Sequence, residues 1–146
     1  MRHVCTVTAL LAFLGCSPRE EVANPRDEST IADIRETVFR HQFMKNSSAV
    51  QQKAKAYFLS IDGKDPDAEI LRRFEGHQPP VRAGSEFKER EGLKFTVGDV
   101  KWINNNTVEV SGGYHEHGKS ASGNRYRVAR KSGKWRVEKD ELLFIS

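Results

Sequence analysis

The side chains best suited to chemistry are concentrated in one short stretch of the sequence. The candidates for contact with a ligand or a metal ion are Tyr114, His115, Glu116 and His117. On a β-strand, residues two apart point to the same side, so both imidazoles could meet one metal ion. A third ligand must then come from elsewhere, and the candidates are His41, His77 and Glu109. A histidine general base and an exposed, polar strand end are the alternatives that stay open.

The alternation of the same strand indicates which way these histidines point. Val108 and Val110 are expected to face the core, which places His115 and His117 on the polar face. A bulge at Gly112-Gly113 would reverse this and turn both imidazoles inward. If the domain is an enzyme or binds a ligand through this stretch, we therefore expect the four side chains to converge on one pocket.

Two other patterns resemble known sites but are better explained structurally. The segment Gly113–Ser120 matches the P-loop expression, yet a strand follows it where a P-loop requires a helix. The carboxylates that follow the first predicted strand lack the spacing of an EF-hand, and helix capping explains them; they are Asp62, Asp65, Asp67 and Glu69. We therefore predict no nucleotide site, no catalytic nucleophile and no cofactor.

The N-terminus has the pattern of a bacterial export signal. Val4 to Leu14 is almost entirely apolar and too short to span a membrane, and Gly15-Cys16 follows where a lipobox would lie. We predict a signal peptide over 1–15, a lipidated Cys16 that begins a flexible tether over 16–28, and one domain over 29–146. Phe13 and Leu14 are bulkier than usual there, so ordinary secretory cleavage and an uncleaved N-terminus stay open as alternatives.

Composition and localisation fit this interpretation. The chain has 146 residues and a net charge of +4, and its two cysteines, Cys5 and Cys16, lie in or next to the leader. The domain itself therefore needs no disulfide. In the densest basic stretch, 125–136, basic residues alternate with apolar ones, as they do where one face of a hairpin is exposed to solvent. We therefore predict no nucleic-acid partner. We expect export and anchoring by the N-terminal lipid, on the periplasmic side of a membrane or at the cell surface.

The rest of the chain predicts helices first and strands afterwards. Ser29 or Thr30 is expected to cap a helix that ends at 46–48, and its apolar stripe is Ile31, Ile34, Val38, Phe39 and Phe43. Tyr57–Ile61 predicts a strand buried on both faces. Asp65-Pro66 is expected to begin a second helix, which Gly76 ends before Pro79-Pro80 imposes an extended segment.

From Leu93 onward the period becomes two. The phase changes across Gly98-Asp99, which predicts a β-bulge. Hairpins are expected at 104–106 and at Ser132-Gly133, and the apolar run Leu142–Ile145 is expected to close the domain. The fold class is therefore α+β, with an N-terminal helix and a second short helix packed on a curved antiparallel sheet.

Four segments of the chain carry a resemblance to a known protein family. The segments that carry it are Tyr57–Pro66, Leu71–Phe74, Val110–Tyr114 and Gly133–Trp135. They resemble an uncharacterised family of secreted bacterial lipoproteins with a cystatin-like or NTF2-like α+β cone. The resemblance covers roughly 30–146 and implies the fold. It implies no activity, because the acid–base pair usual inside NTF2-like enzymes has no match here.

Three hypotheses for function follow. The first is a membrane-anchored, non-catalytic module that binds an unknown protein or small molecule. The second is a ligand-binding or enzymatic NTF2-like domain with a pocket near His115 and His117. The third is an inhibitor or immunity-type protein, which a large exposed apolar patch would favour. A homodimer is compatible with each of them.

The anchor hypothesis predicts a specific labelling result. Cells that express the chain and are fed a palmitate analogue should label it, and Cys16→Ala should abolish the label because the thiol is the acyl acceptor. Cys5→Ala is the matched control and should leave the label in place. Unchanged labelling of the Cys16→Ala chain would contradict the anchor.

Overall fold

The computed structural model describes residues 26–146, so Cys16 and the expected leader lie outside the described residues. The helices are α1 (Glu28–Lys45), α2 (Ala49–Gln52) and α3 (Ala68–Arg72). The strands are β1 (Ala56–Ile61), β2 (Val81–Ala83), β3 (Gly92–Asn104), β4 (Thr107–His117), β5 (Ser120–Lys131) and β6 (Lys134–Ile145). This is the expected α+β class. Within the described range, no helix combines the length and the apolar character needed to cross a membrane.

Helix α1 begins earlier than predicted. Asp27, rather than Ser29 or Thr30, is the N-cap, and its Oδ1 accepts the backbone N–H of Thr30 at 2.7 Å. A carboxylate can satisfy a free N–H of the first turn as well as a hydroxyl can, and it also suits the positive end of the helix dipole. This hydrogen bond lowers the pKa of the Asp27 carboxyl. The helix ends at Lys45, and its C-cap, Asn46, lies within the predicted stop.

The apolar stripe of α1 is largely confirmed. Ile34, Val38 and Phe39 are fully buried and Phe43 nearly so, whereas Ile31 is half-buried. The four buried residues pack against the face of the sheet on which Val108 and Val110 lie.

The second helix also has a different cap from the one predicted. Asp67, not Asp65, caps α3, and its Oδ1 accepts the N–H of Ile70 at 2.8 Å. Asp65 instead accepts from the backbone N–H and the hydroxyl of Ser85, at 2.7 and 2.6 Å. The side-chain hydrogen bond, followed by the backbone one, lowers the pKa of Asp65. Asp65 therefore links two loops across the structure.

The sheet is mixed rather than antiparallel, which corrects the prediction. Its order is β2-β1-β3-β4-β5-β6, and β1 pairs in parallel with both β2 and β3. The reason is the crossover through α3, because a strand that follows a helical crossover returns in the same direction. Strand β1 is buried at all six positions, as predicted. Helix α2 and strand β2 were not predicted, since four and three residues are too short for a periodic signal.

The remaining strands follow the sequence pattern closely. A register shift between Val97 and Val100 confirms the bulge at Gly98-Asp99. The last hairpin turns at Ser132-Gly133, where φ is +50° and +77°, values typical of a two-residue type I′ turn. The face that α1 covers is thus continuous on both sides of the bulge.

The C-terminal apolar run does not close the domain, which is a second correction. The side chains of this run, Leu142, Leu143, Phe144 and Ile145, are 54, 50, 55 and 67% exposed. Strand β6 is one of the two edge strands of the sheet, so these residues have a neighbouring strand on one side only. We call Leu142–Ile145 the apolar end of β6.

Candidate functional site

Strand β4 separates the predicted site residues between its two faces. The pairing of β4 has no register shift at Gly112-Gly113, so the alternation set by Val108 and Val110 continues. Tyr114 lines a pocket on the face covered by α1. His115 lies on the opposite face, where its ring meets the edge of Phe87 with centroids 5.7 Å apart.

The end of β4 separates the other two. A register shift between His115 and His117 leaves His117 exposed, while Glu116 is buried and its Oε2 accepts from Ser120 Oγ at 3.2 Å. The four predicted side chains therefore do not converge on one pocket. In the part of the chain that is described, no three His, Cys, Asp or Glu side chains are grouped closely enough to hold a metal ion.

The segment that resembles a P-loop forms a hairpin. Gly113–Ser120 passes from β4 into β5 through a turn at Gly118, where φ is +51°. Strand β5 begins at Ser120 and continues to Lys131. The position that would hold the helix N-terminus of a P-loop is therefore the start of a strand.

A different set of polar side chains meets between the C-terminal part of α1 and the sheet. They surround a small cavity of about 130 Å³. We call it the α1–β6 pocket, and its lining residues are Gln42, Lys45, Asn46, Tyr114, Asn124, Tyr126 and Asp140. Of the predicted site residues, only Tyr114 belongs to it. The volume corresponds to roughly four water molecules or a ligand of a few heavy atoms.

Gln42 occupies the base of this pocket. It is only 5% exposed, and its Nε2 donates to the carbonyls of Thr96 (3.0 Å) and Gly113 (3.3 Å). It also donates to the hydroxyl of Tyr126 at 3.3 Å. Because the amide NH₂ faces two carbonyls, the orientation of the amide is defined. Its Oε1 is buried and has no hydrogen-bond partner among the described residues.

Gly112 makes this approach of α1 to the sheet possible. A Cβ at Gly112 would lie 2.6 Å from the carbonyl oxygen of Thr96 and 2.9 Å from Nε2 of Gln42. Both contacts are shorter than a side chain tolerates. The missing side chain thus leaves the space in which the Gln42 amide reaches the strands.

A hydrogen-bonded chain forms one side of the pocket. Nε2 of His41 lies 2.9 Å from Oδ2 of Asp140, whose Oδ1 accepts from Nδ2 of Asn124 at 2.6 Å. The hydroxyl of Ser122 donates in turn to Oδ1 of Asn124 at 3.1 Å. A carboxylate beside an imidazole fixes the orientation of the ring, so the chain holds the His41 ring in place beside the pocket.

Two of the candidates for a third metal ligand, His41 and His77, are both only partly exposed. The side chain of His41 is 13% exposed, and its ring meets the edge of Tyr126. His77 is half-buried and packs beside the rings of Phe43 and Tyr57. The first sits beside a polar pocket and the second beside the aromatic core.

Tyr126 keeps its proton at physiological pH. Burial raises the pKa of its hydroxyl to about 12, and the negative charge of Asp140 acts in the same direction against the hydrogen bond from Gln42. A neutral phenol is both a donor and an acceptor. The pocket therefore offers a hydroxyl beside the amide of Gln42.

Sequence reasoning missed most of this site, although one signal was present. Gln42 lies four residues after Val38 and three after Phe39, inside the apolar stripe of α1. A polar side chain in such a stripe indicates a buried hydrogen-bonding position. No such signal marked Asp140. Strand β6 shifts register against β5 between Val137 and Lys139, so simple alternation does not predict which face Asp140 occupies.

The description of these pockets rests on the structure of this chain alone. Comparisons with models of protein families, with curated proteins and with solved structures returned no match to this chain.

The raised pKa of Tyr126 predicts a loss of stability at high pH. Between pH 10 and 12 the unfolded chain releases the phenol proton and the folded chain retains it, so the free energy of unfolding falls as pH rises. Two pKa units correspond to about 2.7 kcal/mol. Urea unfolding of wild type and Tyr126→Phe at pH 9 and pH 11.5 measures this. A steeper decline in the variant than in wild type would contradict it.

Proposed function

We propose that this protein is an exported, membrane-anchored, non-catalytic interaction module whose binding surface is the edge strand β6. The apolar end of β6 carries this proposal. Four consecutive large apolar side chains, each half or more exposed at a sheet edge, are unusual, because such an edge pairs readily with another strand. The apolar sequence pattern over 1–15 and the position of Cys16 after it support the anchor and the exported location.

We infer that the partner on β6 is a second copy of this chain, paired antiparallel about a two-fold axis at Asp140. This register places Lys139 opposite Glu141 of the second copy, and Glu141 opposite its Lys139. It also places Ile145 opposite Trp135, which is half-buried on the face covered by α1. Opposite charges and apolar side chains that face each other are the pairs that stabilise neighbouring strands. An isologous interface of this kind closes at two copies.

The charges in the middle of β6 distinguish this register from its neighbours. An axis at Lys139 would place Glu138 opposite Asp140, which is a like-charge pair. With the axis at Asp140, the two aspartates also meet, but each already lies 2.9 Å from His41 and accepts from Asn124. The charges therefore favour the register at Asp140 over the one at Lys139.

Charge reversal tests this pairing. Lys139→Glu alone and Glu141→Lys alone should each weaken the dimer, because each places like charges opposite each other. An equimolar mixture of the two variants should form a heterodimer, since both facing pairs between positions 139 and 141 are then of opposite sign. Sedimentation velocity of the full-length chain in neutral detergent measures all three samples. Monomers in the mixture, or a wild-type monomer at all concentrations, would refute the pairing.

The apolar end has its own control within the chain. Ile145→Lys should dissociate the dimer, and Ile103→Lys should not, because Ile103 is equally aliphatic and 49% exposed but lies at the end of β3. Equal loss of dimer in both variants would point to a general effect of charge instead.

The α1–β6 pocket supports a second candidate function, the binding of a small neutral amide. Gln42 Oε1 is a buried acceptor without a donor, and Asn46 Nδ2 is a buried donor without an acceptor among the described residues. Leaving both unsatisfied is unfavourable, and a primary amide can complement both at once. A carboxylate offers acceptors only and would leave Gln42 Oε1 without a donor.

Titration with acetamide, followed by the side-chain amide signals in ¹H–¹⁵N spectra, tests this candidate. Asn46→Asp keeps the oxygen that accepts from the N–H of Ser48 and removes the free donor, so it should weaken acetamide binding about tenfold. Asn105→Asp, with the same charge change in the exposed turn after β3, is the control. Acetate that binds as tightly as acetamide would exclude an amide site.

The finer fold assignment is likewise a proposal. The order of one long helix, a strand, a short helix and then antiparallel strands supports a cystatin-like or NTF2-like cone. The position of α1 across one face of the sheet supports it too.

A further inference from the structure

A second cavity lies between α2 and the end of β4. Its volume is about 270 Å³. We call it the α2–β4 pocket, and its lining residues are Ala49, Val50, Lys53, Ala54, Arg90, Gly92 and His117. Four of these residues are aliphatic or glycine, and the other three are basic or can become so. The pocket thus joins apolar surface to positive charge.

The basic side chains of this pocket have no acidic partners. Within residues 26–146, none of Lys53, Arg90 and His117 forms an ion pair, although Arg73 forms three. Two of the nearby acids make other contacts. Glu89 accepts the backbone N–H of Gly118 at 3.2 Å, and buried Glu116 accepts from Ser120. Positive charge at this pocket is therefore available to an external anion.

The backbone of Arg90 is a separate indication. Its φ is +71°, in the left-handed region that glycine adopts freely and that a residue with a long side chain adopts only at an energetic cost. A strained residue of this kind is retained where surrounding structure holds it, and such residues occur often at binding sites. Here the strained residue is also one of the three basic residues that line the pocket.

We propose that the α2–β4 pocket binds an amphipathic carboxylate, a short aliphatic chain that ends in a carboxylate group. The guanidinium of Arg90 can hold both carboxylate oxygens at once, and Lys53 adds a second positive charge. The chain then packs against Val50 and Ala54. At about 30 Å³ for each water displaced, the cavity accommodates roughly nine heavy atoms, which is close to the size of octanoate.

Octanoate is the probe that tests this proposal. Isothermal titration of the full-length chain in nanodiscs should show saturable binding of octanoate, and at least tenfold weaker binding of acetate and of octan-1-ol. Acetate has the charge without the chain, and octan-1-ol has the chain without the charge. Equal binding of octanoate and octan-1-ol would overturn the role of the charge, and equal binding of octanoate and acetate would overturn the role of the chain.

Arg90→Gly makes the test specific to the pocket. Glycine suits the backbone at this position, so the variant should unfold at the same temperature as wild type or higher, while octanoate binding falls at least fivefold. Lys88→Ala removes an exposed positive charge from the same loop without touching the pocket, and it should bind like wild type. Unchanged octanoate binding in Arg90→Gly refutes the site. The α2–β4 pocket contains no residue of β6, so this result does not depend on whether the chain pairs through β6.

Discussion

The position of α1 on the sheet depends on a polar contact inside an otherwise apolar interface. Gln42 hydrogen-bonds to carbonyls of two strands and to Tyr126, and Gly112 leaves the space for it. Apolar packing alone would tolerate small shifts of the helix, whereas a buried amide must meet its partners in one arrangement. With α1 fixed, His41 reaches Asp140 on β6. The polar pocket thus exists because a core position is occupied by a glutamine.

Strict alternation along β4 explains why its cluster of reactive side chains does not form a site. Neighbouring residues of a strand face opposite sides, so a run of four is divided between the core and the outer surface unless a bulge intervenes. Alternation alone would keep His115 and His117 on one face, but the register shift between them separates the two histidines. Tyr114 therefore contributes to the α1–β6 pocket, whereas His117 contributes to the α2–β4 pocket. Each of the two residues lines a pocket, but the pockets are different.

The sequence was informative where one physical signal dominated. Alternation with a phase change located the bulge at Gly98-Asp99, and the dipeptide Ser132-Gly133 located the last turn. Caps were misassigned because several nearby residues could each satisfy a free N–H, and only the folded chain selects Asp27 and Asp67. The parallel pairing of β1 and the pocket around Asp140 depend on which strands become neighbours, and no local pattern encodes that.

Edge strands of soluble proteins normally carry devices that prevent pairing, and β6 carries them unevenly. A register shift between Val137 and Lys139 and a run of charges of both signs interrupt its first two-thirds, and a second register shift falls between Leu142 and Phe144. Its last four residues have neither charge nor cover. A strand under selection only to stay unpaired would place a lysine there, as the exposed face of β5 does with arginines. A charged middle beside an apolar end instead suits a specific partner, because charge sets the register and apolar contact supplies the affinity.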